Sequence, residues 1–225
     1  MSEEVILYSL PPSANSGVIR TLLLAAGISF KEENAWGKTR TPEFIAKFPN
    51  NCCPALEHGD FTVAECSAIL RYICRAFPDK AGKYYSDDIQ KAAKIDMMLD
   101  MINTGVCALI CKACYPALSF PPAAGDVAAL DETKEHTDKA VEAAGKALKE
   151  YLDSKMEGIF LAKTKYLGSD TPTIADFRFA PMLSQIKVNF ALSERMEEYL
   201  KAMDEIPGFS EGRKPYDEFN SKHWK

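Results

Sequence analysis

Apolar positions in the first 77 residues alternate between short runs and helical stripes. Val5-Ile6-Leu7-Tyr8-Ser9 is rich in β-formers and is broken by Leu10-Pro11-Pro12. Ser13-Ala14-Asn15-Ser16 offers several helix caps, and Val18, Leu22, Leu23 and Ala26 then recur at helical spacing. Gly27 suits the position just past a helix end. Ile28-Ser29-Phe30-Lys31-Glu32 reads as a second strand, residues 35–40 as irregular, and Thr41-Pro42-Glu43 as the start of a short helix with proline at its first position. After Pro49 the pattern predicts a strand over 55–57, a turn at His58-Gly59-Asp60, a strand over 61–63 and a helix from about 65 to 76. The predicted order is β-α-β-α-β-β-α.

Strand signals stop near Phe77, and the proline- and glycine-bearing stretch 78–86 reads as a linker. Ser86 can cap a helix with Asp87 and Asp88 in its first turn, running to about Tyr115, where Pro116 stops it. Residues 119–125 read as a loop. From Asp131 to Lys155, Val141, Ala144, Leu148 and Leu152 share one stripe opposite charges. Thr173-Ile174-Ala175-Asp176 fits a capping box heading an apolar helix kinked at Pro181. Ser193 to Asp204 forms another helix with Met196, Tyr199, Leu200 and Met203 inward, and the tail after Pro207 is polar and aromatic. The fold class is therefore an α/β unit of about 80 residues followed by an all-α unit.

Composition adds exclusions. The 225 residues are 47% hydrophobic and 26% charged with net charge −5, and the lysines and arginines are scattered, so nucleic acid and anionic membrane are poor partners. No apolar run of membrane-spanning length is evident and the acidic start, Met1-Ser2-Glu3-Glu4, has no signal-peptide core, so a cytoplasmic protein is expected. Seven cysteines, an odd number, are expected as thiols. Cys107, Cys111 and Cys114 have the C-x3-C-x2-C spacing of an iron–sulfur loop, but i, i+4, i+7 also marks one helix face, and buried structural thiols with no metal are the expectation. A hydrolase is not supported: G-x-S-x-G is absent, and His58, His136 and His223 fall in a turn, a charged helix and the tail.

The most telling stretch is Cys52-Cys53-Pro54-Ala55-Leu56 followed by Glu65-Cys66-Ser67-Ala68-Ile69. A proline at a strand's first residue leaves a backbone edge beside an acid-led helix start, which suits a peptide-like ligand carrying a carboxylate. With Thr171-Pro172-Thr173-Ile174-Ala175-Asp176-Phe177, these motifs resemble those of the cytosolic glutathione transferases over nearly all of residues 4–210. Residues 38–49 also resemble the transferase-like head of elongation factor gamma subunits.

That resemblance implies the glutathione transferase fold: a thioredoxin-like glutathione-binding domain over 1–77, a linker over 78–86, and an all-helical domain over 87–225 holding the co-substrate site and the C-terminal tail. It implies glutathione as co-substrate, conjugated to electrophilic, mostly apolar small molecules, with peroxide reduction as a variant, and a homodimer. Cys53 before a cis Pro54 would pair with the glutathione backbone, the start of the helix near Glu65 and Cys66 would take the γ-glutamyl end, and Lys38 (with Arg40 or Lys47, beside Trp36) the glycine carboxylate. The hydroxyl that activates the thiol is Ser13 by the serine-type members, with Ser9, Ser16 and Tyr8 as alternatives; strand alternation turns Tyr8 to the other face. Asp100 and Thr104 resemble positions near the site in dimeric relatives, or simply form a helix face. Leu10, Pro12, Cys107, Cys111, Cys114 and Tyr115, with Phe209 and Trp224 from the tail, are the co-substrate candidates. A non-catalytic binding or protein-interaction module of the same fold is the alternative, favoured by Cys52-Cys53, by Cys66 where the family has serine, and by the open choice of hydroxyl.

Overall fold

Residues 3–114, 134–187 and 190–223 are described in a computed structural model. The chain opens with β1 (Val5–Ser9), α1 (Ala14–Ala25), β2 (Lys31–Asn34), α2 (Pro42–Lys47), β3 (Ala55–His58), β4 (Phe61–Ala64) and α3 (Cys66–Ala76). The sheet order is β2-β1-β3-β4. β1 is parallel to β2, with Ile6 opposite Lys31, and antiparallel to β3, with Leu7 opposite Leu56; β3 and β4 form an antiparallel hairpin. This is the expected thioredoxin-like unit.

Strand alternation sorts the two faces of β1. Val5, Leu7 and Ser9 are buried, and the two apolar residues pack into the main core with Val18, Leu22, Ile69 and Ile73 of α1 and α3. Tyr8 points the other way, onto a small cluster with Phe44, Phe48 and Ala55; its ring meets Phe44 edge-on at 5.9 Å between centroids. The second strand begins three residues later than its β-formers suggest. Gly27, at φ 60°, and Ile28 close α1 with bonds to the Leu24 and Leu23 carbonyls, and Ile28 is spent on that closure as a buried residue.

The stretch expected as a linker is folded. Pro78–Ala81 forms a short helix, α4, and Gly82–Tyr84 a 3-10 turn, with Ala81, Tyr84 and Tyr85 buried. α5 (Ile89–Met101) is capped not by Ser86 but by Asp88, whose carboxylate accepts from the amides of Gln90 and Lys91. It continues through a π-helical segment, Ile102–Cys107, into α6 (Ala108–Cys114). The wide turn admits Tyr151: its hydroxyl donates to the Met101 carbonyl at 3.2 Å, and a Cβ on Gly105 would lie 2.4 Å from its ring. By length and composition alone the 26-residue helix Ile89–Cys114 could cross a membrane, contrary to the sequence expectation. Yet Ile95, Leu99, Ile102, Val106 and Ile110 are buried in the protein core.

α7 (Lys134–Tyr151) and its π-helical continuation to Leu161 bury Ala144, Leu148 and Leu152, as the stripe predicts. α8 (Ile174–Ile186) is buried along its whole length, and α9 (Glu194–Asp204) turns Met196, Tyr199, Leu200 and Met203 inward. The tail, read only as polar and aromatic, is helical. It forms α10 (Phe209–His223), laid across α1. Glycines permit the approach: a Cβ on Gly17 would meet the Tyr216 ring at 2.6 Å, and one on Gly212 would meet Thr21 at 2.7 Å. Arg20 fixes the same junction, pairing with Glu32 at 2.5 Å and donating to the Gly212 carbonyl at 3.1 Å.

The capping box at Thr173 is present and buried. Asp176 accepts from the amides of Thr173 (2.7 Å) and Leu167 (2.8 Å) and from the hydroxyls of Thr173 and Tyr199 (both 3.1 Å). Burial pushes its carboxyl up to about 6 in spite of these donors. Replacing Asp176 by alanine orphans all of them, at ~1–3 kcal/mol for a buried donor left unpaired, on top of the lost cap. We expect Asp176→Ala to lower stability by about 3 kcal/mol or more in urea unfolding; a midpoint equal to that of the wild type would refute this role.

Candidate functional site

Two helix N-termini and a strand edge converge. α1 begins at Ser13, whose backbone is extended (φ −82°, ψ 126°) and whose hydroxyl makes no capping hydrogen bond. The other candidate hydroxyls are committed. Ser9 is fully buried and its Oγ donates to Glu32 at 2.5 Å. Ser16 is also fully buried, and its Oγ accepts from the Leu10 amide at 3.0 Å. Tyr8 donates to Glu57 at 3.1 Å under the Lys47 ammonium, and burial and Glu57 raise its pKa further from use. Ser9 and Tyr8 are thus placed as structural groups, and Ser13 alone among the four keeps its hydroxyl uncommitted among the described residues.

The Cys53–Pro54 bond is cis, and Pro54 is buried at the head of β3. Cys53 lies beyond Ala55, the last residue that pairs with β1 and β4, so its backbone stands at the end of the ladder. Next to it α3 starts at Glu65, an exposed residue at φ 73°. A side chain held at positive φ costs of order 1–3 kcal/mol and is a marker of functional sites. Its carboxylate accepts from Asn50 Nδ2 at 3.1 Å. Cys66, the first residue of α3, is turned inward: its thiol lies 3.7 Å from the Asn15 carbonyl of α1, and burial pushes its pKa to about 11. Its thiol is thus directed into the junction with α1 and not outward.

Of the cations, Lys47 is tied to Glu57 at 2.6 Å, whereas exposed Lys38 has only Glu33 at 3.8 Å; Trp36 is 62% exposed nearby in sequence. Asp100 and Thr104 fit the helix-face reading, with Thr104 Oγ1 donating to the Asp100 carbonyl at 2.8 Å. Leu10, Pro12, Cys107 and Cys111 are half-buried, Cys114 is buried, and Tyr115 and Trp224 lie outside the described residues. Phe209 does not line a site: it is fully buried, its ring 5.9 Å from that of Phe177. Among the described residues no group of three or more histidine, cysteine, aspartate or glutamate side chains could hold a metal ion.

One residue escaped the sequence reading. Arg178, 5% exposed on α8, donates to Asn15 Oδ1, Asn103 Oδ1 and Cys107 Sγ, each at 2.9 Å. Its signal was a charge, beyond the capping Asp176, inside the apolar run from Ile174 to Ile186.

Known proteins resemble this chain in sequence and in fold. The family model for the glutathione S-transferase N-terminal domain matches residues 3–75. Glutathione S-transferase F10 of Arabidopsis thaliana is 26% identical over 185 residues, 79% of each chain. Glutathione S-transferase T1 of the same plant is 32% identical over 155 residues, 66% of this chain and 57% of that one. The solved structure of a theta-class glutathione S-transferase from the citrus canker pathogen Xanthomonas axonopodis pv. citri, with glutathione bound, has the same fold: its TM-score is 0.75 at 16% identity, over 93% of this chain and 97% of that one. The matched domain and these relatives support a cytosolic glutathione transferase family and a glutathione transferase enzyme.

All seven cysteines are thiols. Burial holds Cys53, Cys74 and Cys114 up to about 12 and raises Cys107 as well, whereas Cys52 is exposed. Since the thiolate is the reactive form, an aromatic disulfide at neutral pH should label Cys52 first. Cys52→Ser should abolish the fast phase; a fast phase that persists in that variant would show another thiol to be the reactive one.

Proposed function

We propose that this chain binds glutathione between the α1 and α3 N-termini and the Cys53 edge, and transfers its thiolate to electrophilic, mostly apolar small molecules. The observation that carries the reading is the uncommitted Ser13 hydroxyl at the head of α1. Glutathione is peptide-like, so its cysteinyl backbone can extend the β3 edge at Cys53 as an added strand. Its γ-glutamyl carboxylate would sit on the first amides of α3, where the backbone and dipole favour an anion, with Glu65 facing the ammonium. Lys38 is the proposed partner of the glycine carboxylate.

Chemistry then requires a thiolate. Bringing a thiol from ~8.5 to ~6.5 needs about 2.7 kcal/mol of preferential stabilisation. The Ser13 hydroxyl donating to sulfur, with the α1 N-terminus behind it, supplies interactions made to the anion and not to the neutral thiol. The thiolate attacks the electrophilic carbon, a C–S bond forms, and the leaving group departs with its electron pair. With a peroxide the same thiolate would take one oxygen, giving a sulfenic acid and an alcohol; a second glutathione would then displace water to form the disulfide. The co-substrate would lie against Leu10, Pro12, Cys107 and Cys111, whose soft sulfur atoms suit varied apolar shapes. A cytoplasmic enzyme of detoxification follows from this reading.

A second reading is favoured by one observation: the inward Cys66 leaves carboxylate binding to backbone alone. The protein would then be a glutathione-transferase-like binding module. The experiment that separates the two is glutathione-affinity retention together with turnover of a generic aryl halide. Ser13→Ala should raise the thiol pKa of bound glutathione, followed by thiolate absorbance, and lower turnover about 100-fold. A wild-type pKa in that variant overturns the Ser13 assignment, and retention without any wild-type turnover favours the binding module.

We also propose a homodimer through α3 and α5. Exposed apolar side chains on this side include Met97 on α5, 48% exposed, and Ile89, 85% exposed. Light scattering should give twice the chain mass of 24.9 kDa; a single species at the chain mass would contradict the dimer.

A further inference from the structure

Among the described residues, Arg178 is the cation placed behind both helix starts. On one side its Nη1 donates to Asn15 Oδ1 at 2.9 Å, and Asn15 is the second residue of α1. On the other its Nε donates to Asn103 Oδ1 at 2.9 Å, and Asn103 Nδ2 donates onward to Ser67 Oγ at 2.8 Å, where Ser67 is the second residue of α3. The Cys66 thiol closes the figure, 3.7 Å from the Asn15 carbonyl. A planar guanidinium presents its donors in a fixed fork, so contacts on two sides fix the distance and angle between the elements they hold.

We propose that Arg178 is a positioning residue for the glutathione site, bracing the first turns of α1 and α3 against each other and setting a buried positive charge behind both. This rests on the reading of that site as the glutathione site. Two consequences of the geometry support it. Asn15, engaged by Arg178, is kept from competing for the amides and hydroxyl at the head of α1, where Ser13 remains uncommitted. The field of Arg178 also reaches the base of α3: burial raises the thiols of Cys66 and Cys107, and Arg178 pulls both back down. A ligand with a thiolate at one helix start and a carboxylate at the other would feel the same cation at both ends.

The test uses Arg178→Met, Arg178→Lys and Asn15→Ala in the full chain, with glutathione as the probe. Asn15→Ala cuts the α1 arm of the brace at a half-buried residue and leaves the buried cation in place. Readouts are the thiol pKa of bound glutathione, its Kd and the thermal midpoint. Arg178→Met and Asn15→Ala should each raise the bound thiol pKa by about one unit, a tenfold loss of thiolate at neutral pH, and weaken glutathione about tenfold. Arg178→Lys keeps the charge without the fork, and should recover part of the pKa but not the affinity. A purely structural role would lower the thermal midpoint and leave the bound thiol pKa where it was; that result in folded variants overturns the proposal. Should Arg178→Met fail to fold, Asn15→Ala decides alone, and a wild-type pKa and Kd there overturn it. Failure of the wild type to bind glutathione overturns the functional reading and this one with it, whereas a glutathione-binding wild type with indifferent variants overturns this one only.

Discussion

A carboxylate with no exposed surface anchors the helix on which both halves of the chain lean. Asp176 accepts four hydrogen bonds at the head of α8, from its own cap, from the turn at Leu167 and from Tyr199 of α9. Such a group is costly to bury and is kept only where every lone pair is used. Here its use fixes where α8 starts, and so the phase of all the residues after it. Phe177 then meets Tyr84 and Phe209, and Phe179 meets Tyr199. Arg178, between those aromatic residues, is aimed at α1 and at the π-helical segment of α5. One capping box thereby sets the position of a cation some distance away in space, and the first turns of α1 and α3 inherit that position.

The sheet contributes the complementary constraint. Ser9 and Tyr8 are adjacent, yet strand alternation sends one to Glu32 and the Arg20 junction and the other to Phe44, Phe48 and Glu57. Both hydroxyls are consumed in holding neighbouring elements to β1. Of the four candidate hydroxyls, only Ser13, beyond the end of the strand and after Leu10-Pro11-Pro12, has nothing to hold among the described residues. Separation of committed from uncommitted hydroxyls is thus a consequence of where β1 stops.

Much of this was legible in the residues. Periodicity, Gly27, Pro42 and the Thr173 capping box locate their elements because each acts locally, through a backbone angle or a bond within four residues. The cis bond at Pro54 and the acid-led start of α3 were readable for the same reason. What failed depends on contacts distant in sequence. α10 is polar by composition, and its helix is recognisable only once Gly17 of α1 is known to face Tyr216 and Gly212 of α10 to face Thr21. Phe209 looked like a tail aromatic and is core for that reason. Asp88, not Ser86, caps α5 because the turn before it uses Ser86 Oγ to accept from the Asp88 amide. Arg178 offered a signal, a charge in an apolar run, but its partners lie 163 and 75 residues away.

The cysteines show how composition misleads where geometry does not. Cys107, Cys111 and Cys114 have a cluster-like spacing because they share a helix face, and the same face that buries Cys114 gives Cys107 to Arg178. Cys66 seems, by position, to be a serine lost from a ligand contact; its thiol instead faces α1 and fills the junction with a weakly polar, polarizable atom. Arg178 engages the Asn15 side chain, and the Cys66 thiol faces the Asn15 backbone carbonyl beside it. On the proposed reading of the site, Cys66 and the brace from Arg178 form one arrangement: the side chain at the start of α3 turns inward, and a positive field favouring an anion there would come from behind the helix instead of from its first side chain.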